Sequence, residues 1–349
     1  MKGAKLKVGV IGASGYTGSE LLRFLLGHPG VEVVALTSES YEGLPIAEVF
    51  PSLRGLCDLE CRRHDPEEVA EAELAFLALP HRASMGVAPV LLRLGKGVVD
   101  LSADFRFRSQ AIYEKWYQVP HACPELLREA VYGLPELYRR QLRSARLVAV
   151  PGCYPTGAIL GLAPLVKEGV IDLGSIIINA ISGASGAGRK PDLGLHFAEC
   201  NESVKAYGIA GHRHTPEMEQ ELSLLVGAEV RVSFTPHLAP LTRGILSTIY
   251  ANLVSPYDTQ DLLGLYGRFY NGEPFIRVLP PEKFPETKQV AGSNFCDIGL
   301  KVDARTGRVL VVTALDNLGK GAAGGAVQCM NVMYGFEERM GLMAPGFFP

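Results

Sequence analysis

The sequence predicts an α/β protein in which a doubly wound domain precedes an α+β domain with a mixed sheet. Three observations carry this prediction. A strand, a glycine turn and a helix open the chain, apolar strands then alternate with helices to about residue 150, and strand-rich segments follow from Gly174. Buried strands separated by helices are typical of parallel, doubly wound sheets. The 349 residues have the length of about two domains.

The composition is that of an ordinary globular protein, with 47% hydrophobic and 20% charged residues. A net charge of −3, spread along the chain, gives no footprint for nucleic acid or for a membrane surface. No secretory signal opens the chain and no apolar run reaches the length of a membrane span. Seven cysteines form no disulfide framework, and Cys57 and Cys61 lack a second pair of metal ligands. We therefore expect a cytoplasmic protein without a structural metal.

The first 37 residues have the order of a dinucleotide-binding βαβ unit. Leu6–Ile11 predicts a strand, Gly12–Gly18 a glycine-rich turn, Ser19–Leu26 a helix and Val31–Thr37 a second strand. Glycines let the backbone approach a pyrophosphate, and the helix N-terminus offers it N–H groups. The turn lies between a strand and an amphipathic helix, so it predicts a Rossmann-type nucleotide site.

The alternation continues through a strand at Leu74–Leu79, a helix at Ala83–Leu94 and a strand at Gly97–Ser102. His81 follows the first of these strands, at the edge where parallel sheets bind ligands. It is a candidate site residue or a loop histidine with ordinary partners. Arg106 follows the second strand and is a candidate oxyanion ligand, or else the partner of Asp104 in an ion pair.

Cys153 lies at a predicted strand-to-helix turn. Leu147–Val150 reads as a strand, and Gly157–Gly169 has the spacing and the closing glycine of a helix. Pro155 suits a first helical turn. A thiol just ahead of a helix start is near unpaired N–H groups and a positive dipole end, which lower its pKa and favour a nucleophile. The alternative is a small buried apolar residue, as most cysteines are.

The second half is rich in strands. The predicted elements are a strand at Ser175–Ile181 with a small-residue loop from Ser182 to Gly188, strands at Glu229–Thr235 and Thr242–Val254, and a hairpin of Cys296–Val302 with Val309–Leu315. Arg189 and Lys190 end the loop as two adjacent cations. A mixed sheet that holds the substrate site is the natural interpretation.

His212 precedes a predicted helix with Thr215 as N-cap and Pro216 at N1, ending near Val226. The positive helix start favours a neutral imidazole, the form that a general base needs. His212 and His214 also resemble a pair of metal ligands, but no third ligand of suitable spacing accompanies them. We therefore predict no metal.

A dinucleotide fold, a cysteine at a strand-to-helix turn and a histidine before a helix together suggest thiol-based reduction of an acyl group. The motifs that carry these features resemble those of the N-acetyl-γ-glutamyl-phosphate reductases, relatives of the aspartate-semialdehyde and glyceraldehyde-phosphate dehydrogenases. The resemblance runs from end to end over Gly12–Gly18, Asp100–Arg106, Pro151–Thr156, Ser182–Gly188, Gly211–Glu217, Asp316–Asn317 and Lys320–Gly324.

The resemblance implies NADPH-dependent reduction of N-acetyl-γ-glutamyl phosphate to N-acetylglutamate semialdehyde, a step of arginine biosynthesis. Cys153 would be the nucleophile and His212 the acid/base. The implied cofactor ligands are Gly12, Ser14, Gly15, Tyr16, Thr17 and Gly18 at the pyrophosphate, Ser38 near the 2′-phosphate and Asn317 near the nicotinamide. The implied substrate ligands are Arg106, Ser182, Ser185, Gly186 and His214, with Arg189, Lys190 and Arg243 as weaker candidates.

The resemblance also implies the domain organisation. Residues 1–150 would bind the dinucleotide, residues 151–316 would hold the catalytic and dimerisation domain, and residues 317–349 would return as a helix to the first domain. That helix is predicted to run to about Phe336. The resemblance further implies a homo-oligomer, either a homodimer or a homotetramer.

Two departures stand out: Glu39 occupies a position where many relatives carry arginine, and Leu318-Gly319 is unusual. An acidic residue there normally favours NAD, so Glu39 bears on the choice of cofactor. One alternative is the similar reductase of lysine biosynthesis, which acts on a carrier-linked aminoadipyl phosphate; its Cys-Tyr-Pro-Thr and Ser-Gly-Ala-Ser-Gly motifs tend to vary, whereas they are intact here. A second alternative, from another class, is a non-catalytic nucleotide sensor.

Overall fold

The computed structural model describes residues 4–348, and the chain divides into two compact units. The first unit holds the chain up to Pro151 together with Ala322–Met343, and the second holds Gly152–Gly321 together with the segment that begins at Ala344. Each unit has a seven-stranded sheet. Among the described residues, no helix has the length and apolar character needed to cross a membrane.

The sheet of the first unit is entirely parallel, in the order β3-β2-β1-β4-β5-β7-β6. Its central strands are continuous apolar runs because helices cover both faces; all four residues of β4 are buried. The order in which the chain adds strands to the sheet reverses between β1 and β4, and sheets of this kind bind their ligands at such a switch point. The strands are β1 Leu6–Ile11, β2 Val31–Thr37, β3 Cys61–Arg62, β4 Leu74–Leu77, β5 Gly97–Asp100, β6 Val131–Tyr132 and β7 Leu147–Ala149.

The first helix of this unit begins at Tyr16, three residues before the predicted start at Ser19. Gly15 has extended backbone as its N-cap, so the chain enters the helix directly from the glycine turn. Ser109 caps another helix, because its side chain accepts a hydrogen bond from the N–H of Ile112. The helices are α1 Tyr16–Leu26, α2 Ile46–Val49, α3 Ser84–Arg93, α4 Gln110–Tyr117, α5 Leu126–Glu129 and α6 Pro135–Leu142.

The sheet of the second unit is mixed, as predicted. Its order is β12-β13-β14-β11-β8-β10-β9, with parallel pairs β8/β10 and β12/β13. The predicted hairpin is confirmed as the antiparallel pair β13/β14, one residue longer on each strand. The strands are β8 Ile176–Ser182, β9 Lys205–Ala206, β10 Val232–Leu238, β11 Ile245–Asn252, β12 Ile276–Val278, β13 Cys296–Asp303 and β14 Arg308–Leu315.

The core helix of the second unit, α7, packs on β11 and β14 and is buried from Tyr154 to Val166. Pro164 lies inside it and has no N–H, so the carbonyl of Leu160 loses its helical partner. The hydroxyl of Tyr270 donates to that carbonyl. The helices of this unit are α7 Cys153–Lys167, α8 Phe197–Cys200, α9 Thr215–Val226, α10 Thr259–Phe269 and α11 Thr287–Val290.

The last helix, α12, spans Gly324–Met333 after a single wide turn over Gly319–Ala323. It ends three residues before the predicted Phe336. It packs within the first unit, against α1, α6 and β5. Close packing is possible because its first residues are small; the thiol of Cys329, further along, donates to the carbonyl of Gly133 at 3.2 Å.

Candidate active site

The thiol of Cys153 belongs to the first residue of α7, directly after Gly152, whose backbone is extended at φ −63° and ψ 151°. The prediction placed the thiol just ahead of the helix; it lies instead within the first turn, beside the unpaired N–H groups. Of the seven cysteines, all free and all within residues 4–348, only Cys153 has a partly exposed side chain. Exposure at a positive helix end suits a nucleophilic thiolate.

His214 packs directly against the backbone that precedes the thiol. A Cβ atom added to Gly152 would lie 2.5 Å from Nε2 of His214, a distance that real Cβ atoms do not show. Glycine at 152 therefore permits the imidazole of His214 to approach the start of α7.

Glu217 anchors the same backbone, although the sequence analysis did not single it out. Its side chain is fully buried, and Oε1 accepts a hydrogen bond from the N–H of Gly152 at 2.8 Å. The hydroxyl of Thr156 donates to the carbonyl of Gly152 at 2.9 Å. The available signal was an acidic residue in the first turn of the helix that follows His212 and His214.

The imidazole of His212 lies among aromatic rings. Its centroid is 4.9 Å from that of His214. Edge-on contacts at 5.3–5.7 Å complete the surroundings, from Tyr154, Tyr207 and Phe234. Both predicted histidines therefore lie at the start of α7: His214 packs against Gly152, and His212 contacts Tyr154.

The protonation of His212 follows from its contacts. Burial lowers its pKa to about 4, and the positive charge of Arg213 acts in the same direction. Nδ1 accepts a hydrogen bond from the N–H of His214 at 3.1 Å, so the proton of the neutral ring is on Nε2. The neutral form was predicted from the helix start, but its main cause is burial. The N-cap of α9 is His214, without a side-chain cap bond, and not Thr215 as predicted.

A pair of tyrosines adjoins the histidines. The hydroxyls of Tyr154 and Tyr207 are 2.9 Å apart. Burial raises the pKa of both phenols, so both remain neutral and can donate or accept hydrogen bonds. Ser182, at the end of β8, donates its hydroxyl to the carbonyl of Gly183 at 3.0 Å.

Asn317 is braced from both sides. Its Nδ2 donates to the hydroxyl of Ser185 at 2.9 Å, and its Oδ1 accepts from the N–H of Gly244 at 2.8 Å. A Cβ atom on Gly186 would be 3.4 Å from Oγ of Ser182 and 3.7 Å from Nδ2 of Asn317. The predicted loop donors therefore do converge within the second unit.

The candidate cations differ in their surroundings. Arg106 is buried in the first unit, where Nε donates to the carbonyl of Val150 at 2.7 Å and one terminal nitrogen to that of Leu101 at 3.0 Å. Arg243 is 3.4 Å from Asp316. Arg189 and Lys190 are exposed. The structure thus uses at least two donors of Arg106 to hold backbone.

The glycine turn of the first unit packs closely against the segment that follows β4. Gly12 has φ +85°, and a Cβ atom there would be 2.6 Å from the carbonyl oxygen of Ala78. The hydroxyls of Ser14 and Ser38 are 2.8 Å apart, and Ser38 also accepts from the N–H of Tyr41 at 3.2 Å. Two predicted ligands from separate loops are thereby joined.

The remaining predicted cofactor residues form the start of α1. Gly15 is its N-cap, Tyr16 is its first residue and is 39% exposed, Thr17 is half-buried and Gly18 is buried. Glu39 follows Ser38 and is exposed. Among residues 4–348, no three His, Cys, Asp or Glu side chains gather as a metal site would require.

Comparison with known proteins agrees with this architecture. Residues 7–145 match the family described as semialdehyde dehydrogenase, NAD binding domain, and residues 153–317 match its dimerisation domain. Among solved structures, aspartate semialdehyde dehydrogenase II from Vibrio cholerae has a TM-score of 0.71 at 18% identity, over 95% of this chain and 98% of that one. That likeness shows the shared fold.

Curated relatives are much closer in sequence. The N-acetyl-gamma-glutamyl-phosphate reductase of Moorella thermoacetica is 56% identical over 99% of this chain and all of the relative. The protein of the same name from Geobacter metallireducens is 57% identical with the same coverage. The chain is thus an oxidoreductase with the two domains of the semialdehyde dehydrogenases, and it belongs to the N-acetyl-gamma-glutamyl-phosphate reductase family.

Proposed function

We propose that this protein catalyses the NADPH-dependent reduction of N-acetyl-γ-glutamyl phosphate to N-acetyl-L-glutamate 5-semialdehyde and phosphate, a step of arginine biosynthesis. One observation carries the proposal: the partly exposed Cys153 thiol begins a 15-residue helix whose N-cap, Gly152, is held by His214 and Glu217. The relatives' names support the substrate.

The residues of the first unit fit a nicotinamide dinucleotide. A Cβ atom added to Gly15 would meet only the carbonyl oxygen of Gly12, at 3.9 Å, so a side chain there would fill open space in front of the turn. The N-terminus of α1 presents N–H groups to a pyrophosphate at this point. The joined hydroxyls of Ser14 and Ser38 are the donors we assign to the 2′-phosphate of NADPH. When bound, the nicotinamide supplies the hydride, that is, the hydrogen and the two electrons of the reduction.

The thiolate of Cys153 forms a C–S bond with the acyl carbon, and the carbon–oxygen bond to phosphate breaks. A thioester on Cys153 and free phosphate result. Reduction of the thioester carbonyl then leaves a thiohemiacetal oxyanion, which takes a proton. Removal of that proton and cleavage of the C–S bond release the aldehyde and restore the thiolate.

His212 supplies a hydrogen bond at these oxyanions. Because its Nδ1 accepts from the backbone, Nε2–H is the available donor of the neutral ring. The ring in this state stabilises an oxyanion; it acts as a base from the tautomer with the proton on Nδ1, and as an acid once it has taken up a proton. We assign substrate binding to His214, Arg106 and the loop donors Ser182, Ser185 and Gly186, and we place Asn317 near the nicotinamide.

The reaction is tested most directly in reverse. Purified protein is mixed with N-acetylglutamate semialdehyde, phosphate and NADP, and the absorbance of reduced nicotinamide is followed. We expect absorbance to rise only when phosphate is present, and not with Cys153→Ala. No rise with the wild-type protein would contradict the proposal and favour a nucleotide sensor.

We further propose that the second unit forms a homodimer, in line with its match to a dimerisation domain. Its sheet has α7 on one face, whereas alternate residues on the other face are exposed or half-exposed, including Ile177, Leu246 and Thr248. Leu246→Glu should weaken self-association in sedimentation velocity, and the exposed helix variant Leu224→Glu should not.

The seven free cysteines suit a reducing compartment, and we place the enzyme in the cytoplasm.

A further inference from the structure

Arg82 has an unusual backbone conformation in the segment that follows β4. Its φ is +80°, in the left-handed region that side chains other than glycine rarely adopt. Its N–H donates to Oδ1 of Asp104 at 2.8 Å, and its guanidinium donates to the carbonyl of Tyr117 at 2.8 Å. A strained conformation of this kind persists only where its surroundings impose it.

Asp104 is the side chain bonded to this strained backbone. Its side chain is fully buried, and its two oxygens accept from three donors: the N–H of Arg82, the N–H of Ser84 at 3.1 Å and the hydroxyl of Tyr113 at 2.9 Å. Ser84 is the first residue of α3, so the carboxylate also lies at the positive end of a helix. These donors account for a buried charge at this point of the fold.

The segment held by Asp104 adjoins the glycine turn. A Cβ atom added to Gly12 would lie 2.6 Å from the carbonyl oxygen of Ala78 and 3.0 Å from Cδ2 of Leu79. His81 is bonded to the residue next to Asp104, because its Nδ1 accepts from the N–H of Ala103 at 3.1 Å. Since β1 and β4 flank the switch point of the sheet, the segments after these two strands form opposite walls of its ligand crevice.

We propose that Asp104 is a positioning residue for dinucleotide binding, whose carboxylate holds Arg82 in the left-handed conformation and so keeps residues 79–82 as the second wall of the crevice. The inference rests on the proposed function only in that the crevice takes a nicotinamide dinucleotide. It assigns no contact with substrate or cofactor to Asp104 itself.

A cycle of variants tests the proposal through NADPH binding, measured by fluorescence titration without substrate. Arg82→Gly and Arg82→Ala both lose the guanidinium, but only glycine adopts the left-handed conformation freely. With Asp104 present, the two variants should bind NADPH equally within about twofold. In the Asp104→Ala background, the glycine variant should bind about tenfold more tightly than the alanine variant.

Tyr113→Phe is the matched control, because it removes one donor to the same carboxylate and leaves the carboxylate in place. It should lower the melting temperature and leave NADPH affinity unchanged. If Asp104→Ala does not fold, Asp104→Asn takes its place in the cycle, and the same order of affinities is expected with a smaller spacing.

Equal affinities of the glycine and alanine variants without Asp104 would overturn the proposal, as would wild-type affinity in Asp104→Ala. A wild-type protein that binds neither NADPH nor NADH would overturn the proposed function and this inference with it. A wild-type protein that binds NADPH but shows no coupling between positions 82 and 104 would overturn this inference alone.

Discussion

The carboxylate of Glu217 accepts a hydrogen bond of 2.8 Å from the N–H of Gly152, and so links the first turn of α9 to the residue before Cys153. Both histidines of the site precede that turn, and the thiol follows Gly152. One buried contact therefore sets the start of α7, where Cys153 lies, against the start of α9, which follows both histidines.

Removal of this contact should impair both stability and turnover. Glu217→Ala leaves a buried N–H without its acceptor, at a cost of roughly 1–3 kcal/mol in the free energy of unfolding, and should lower kcat more than it raises KM. Glu217→Gln keeps an oxygen acceptor and should be milder. Glu219, on the same helix, provides the control: Glu219→Ala removes an acceptor for the N–H of Val232, the first residue of β10. Equal losses of kcat in the two alanine variants would rule out a specific role for Glu217.

Cys153→Ala should fold with wild-type circular dichroism and lose essentially all turnover, since no other thiol begins a helix in an exposed position among the described residues. Iodoacetamide should modify Cys153 first, as located by peptide mass mapping, and the acyl phosphate should slow that reaction. Cys200→Ala, at a buried thiol, is the matched control and should retain activity. A tenth of the wild-type rate in Cys153→Ala would exclude a thioester mechanism.

Substitution of the two histidines separates their roles. Glutamine can donate a hydrogen bond but cannot transfer a proton, so His212→Gln should lower kcat by about 10²–10⁴-fold. His214→Gln should act mainly through KM. A greater loss of kcat in His214→Gln would reverse the assignment.

The pH dependence of kcat provides a second measurement on His212. Its pKa is lowered to about 4 by burial and by Arg213, so no step in kcat near the usual histidine pKa should come from this ring. The neutral ring stabilises the fold above the pKa of the unfolded chain, and this contribution is lost as the pH falls through 6.5 toward 4. An imidazole titration near neutral pH, followed by NMR and absent in His212→Gln, would contradict this.

Asp100 should make the folded state less stable as the pH rises. Burial, and then the charge of Asp104, raises its pKa from 3.8 to about 6. The folded state thus holds the proton more tightly than the unfolded chain, and the associated stability, present below pH 4, is lost as the pH rises through about 6. The difference amounts to roughly 3 kcal/mol at most.

Asp100→Asn removes this titration while Ser84 and Ser102 can reverse their hydroxyl hydrogen bonds to suit the amide. In urea unfolding between pH 4 and 7, the stability of the variant relative to the wild type should therefore increase with pH. Asp58→Asn, at an exposed position, is the control for the loss of one carboxyl group. If the free energies of unfolding of Asp100→Asn and the wild type change with pH in parallel, the pKa of Asp100 is not raised.

Glu39 bears on the choice of cofactor. It is exposed, whereas its neighbour Ser38 is buried and bonded to Ser14. If the hydroxyls hold a 2′-phosphate, NADPH is preferred, and Glu39→Arg should lower KM for NADPH and leave KM for NADH little changed. Glu42→Arg makes the same charge change three residues away and should have the smaller effect. A wild-type enzyme that prefers NADH tenfold would show that Glu39 faces the ribose.

Local patterns were enough to predict much of the fold. The strand–glycine turn–helix–strand unit, the antiparallel hairpin and the turn at Cys153 depend on residues that are near neighbours in sequence. Hydrophobic periodicity and glycine report such neighbours directly. Errors lay at element boundaries: α1 begins at Tyr16 and α9 is capped by His214, because extended backbone at Gly15 and packing of His214 against Gly152 override the usual start signals.

The sequence by itself thus determined the fold class, the family and the residue types available for the chemistry. Only the tertiary structure decided which groups hold them: Glu217 on Gly152, Asp104 on Arg82, Asn317 on Ser185, and the backbone N–H that places the proton of His212 on Nε2. The side-chain contacts among these join residues 22 to 132 positions apart. Such contacts leave no periodic signal in the sequence, because each depends on how separate elements pack and on which buried donors then need an acceptor.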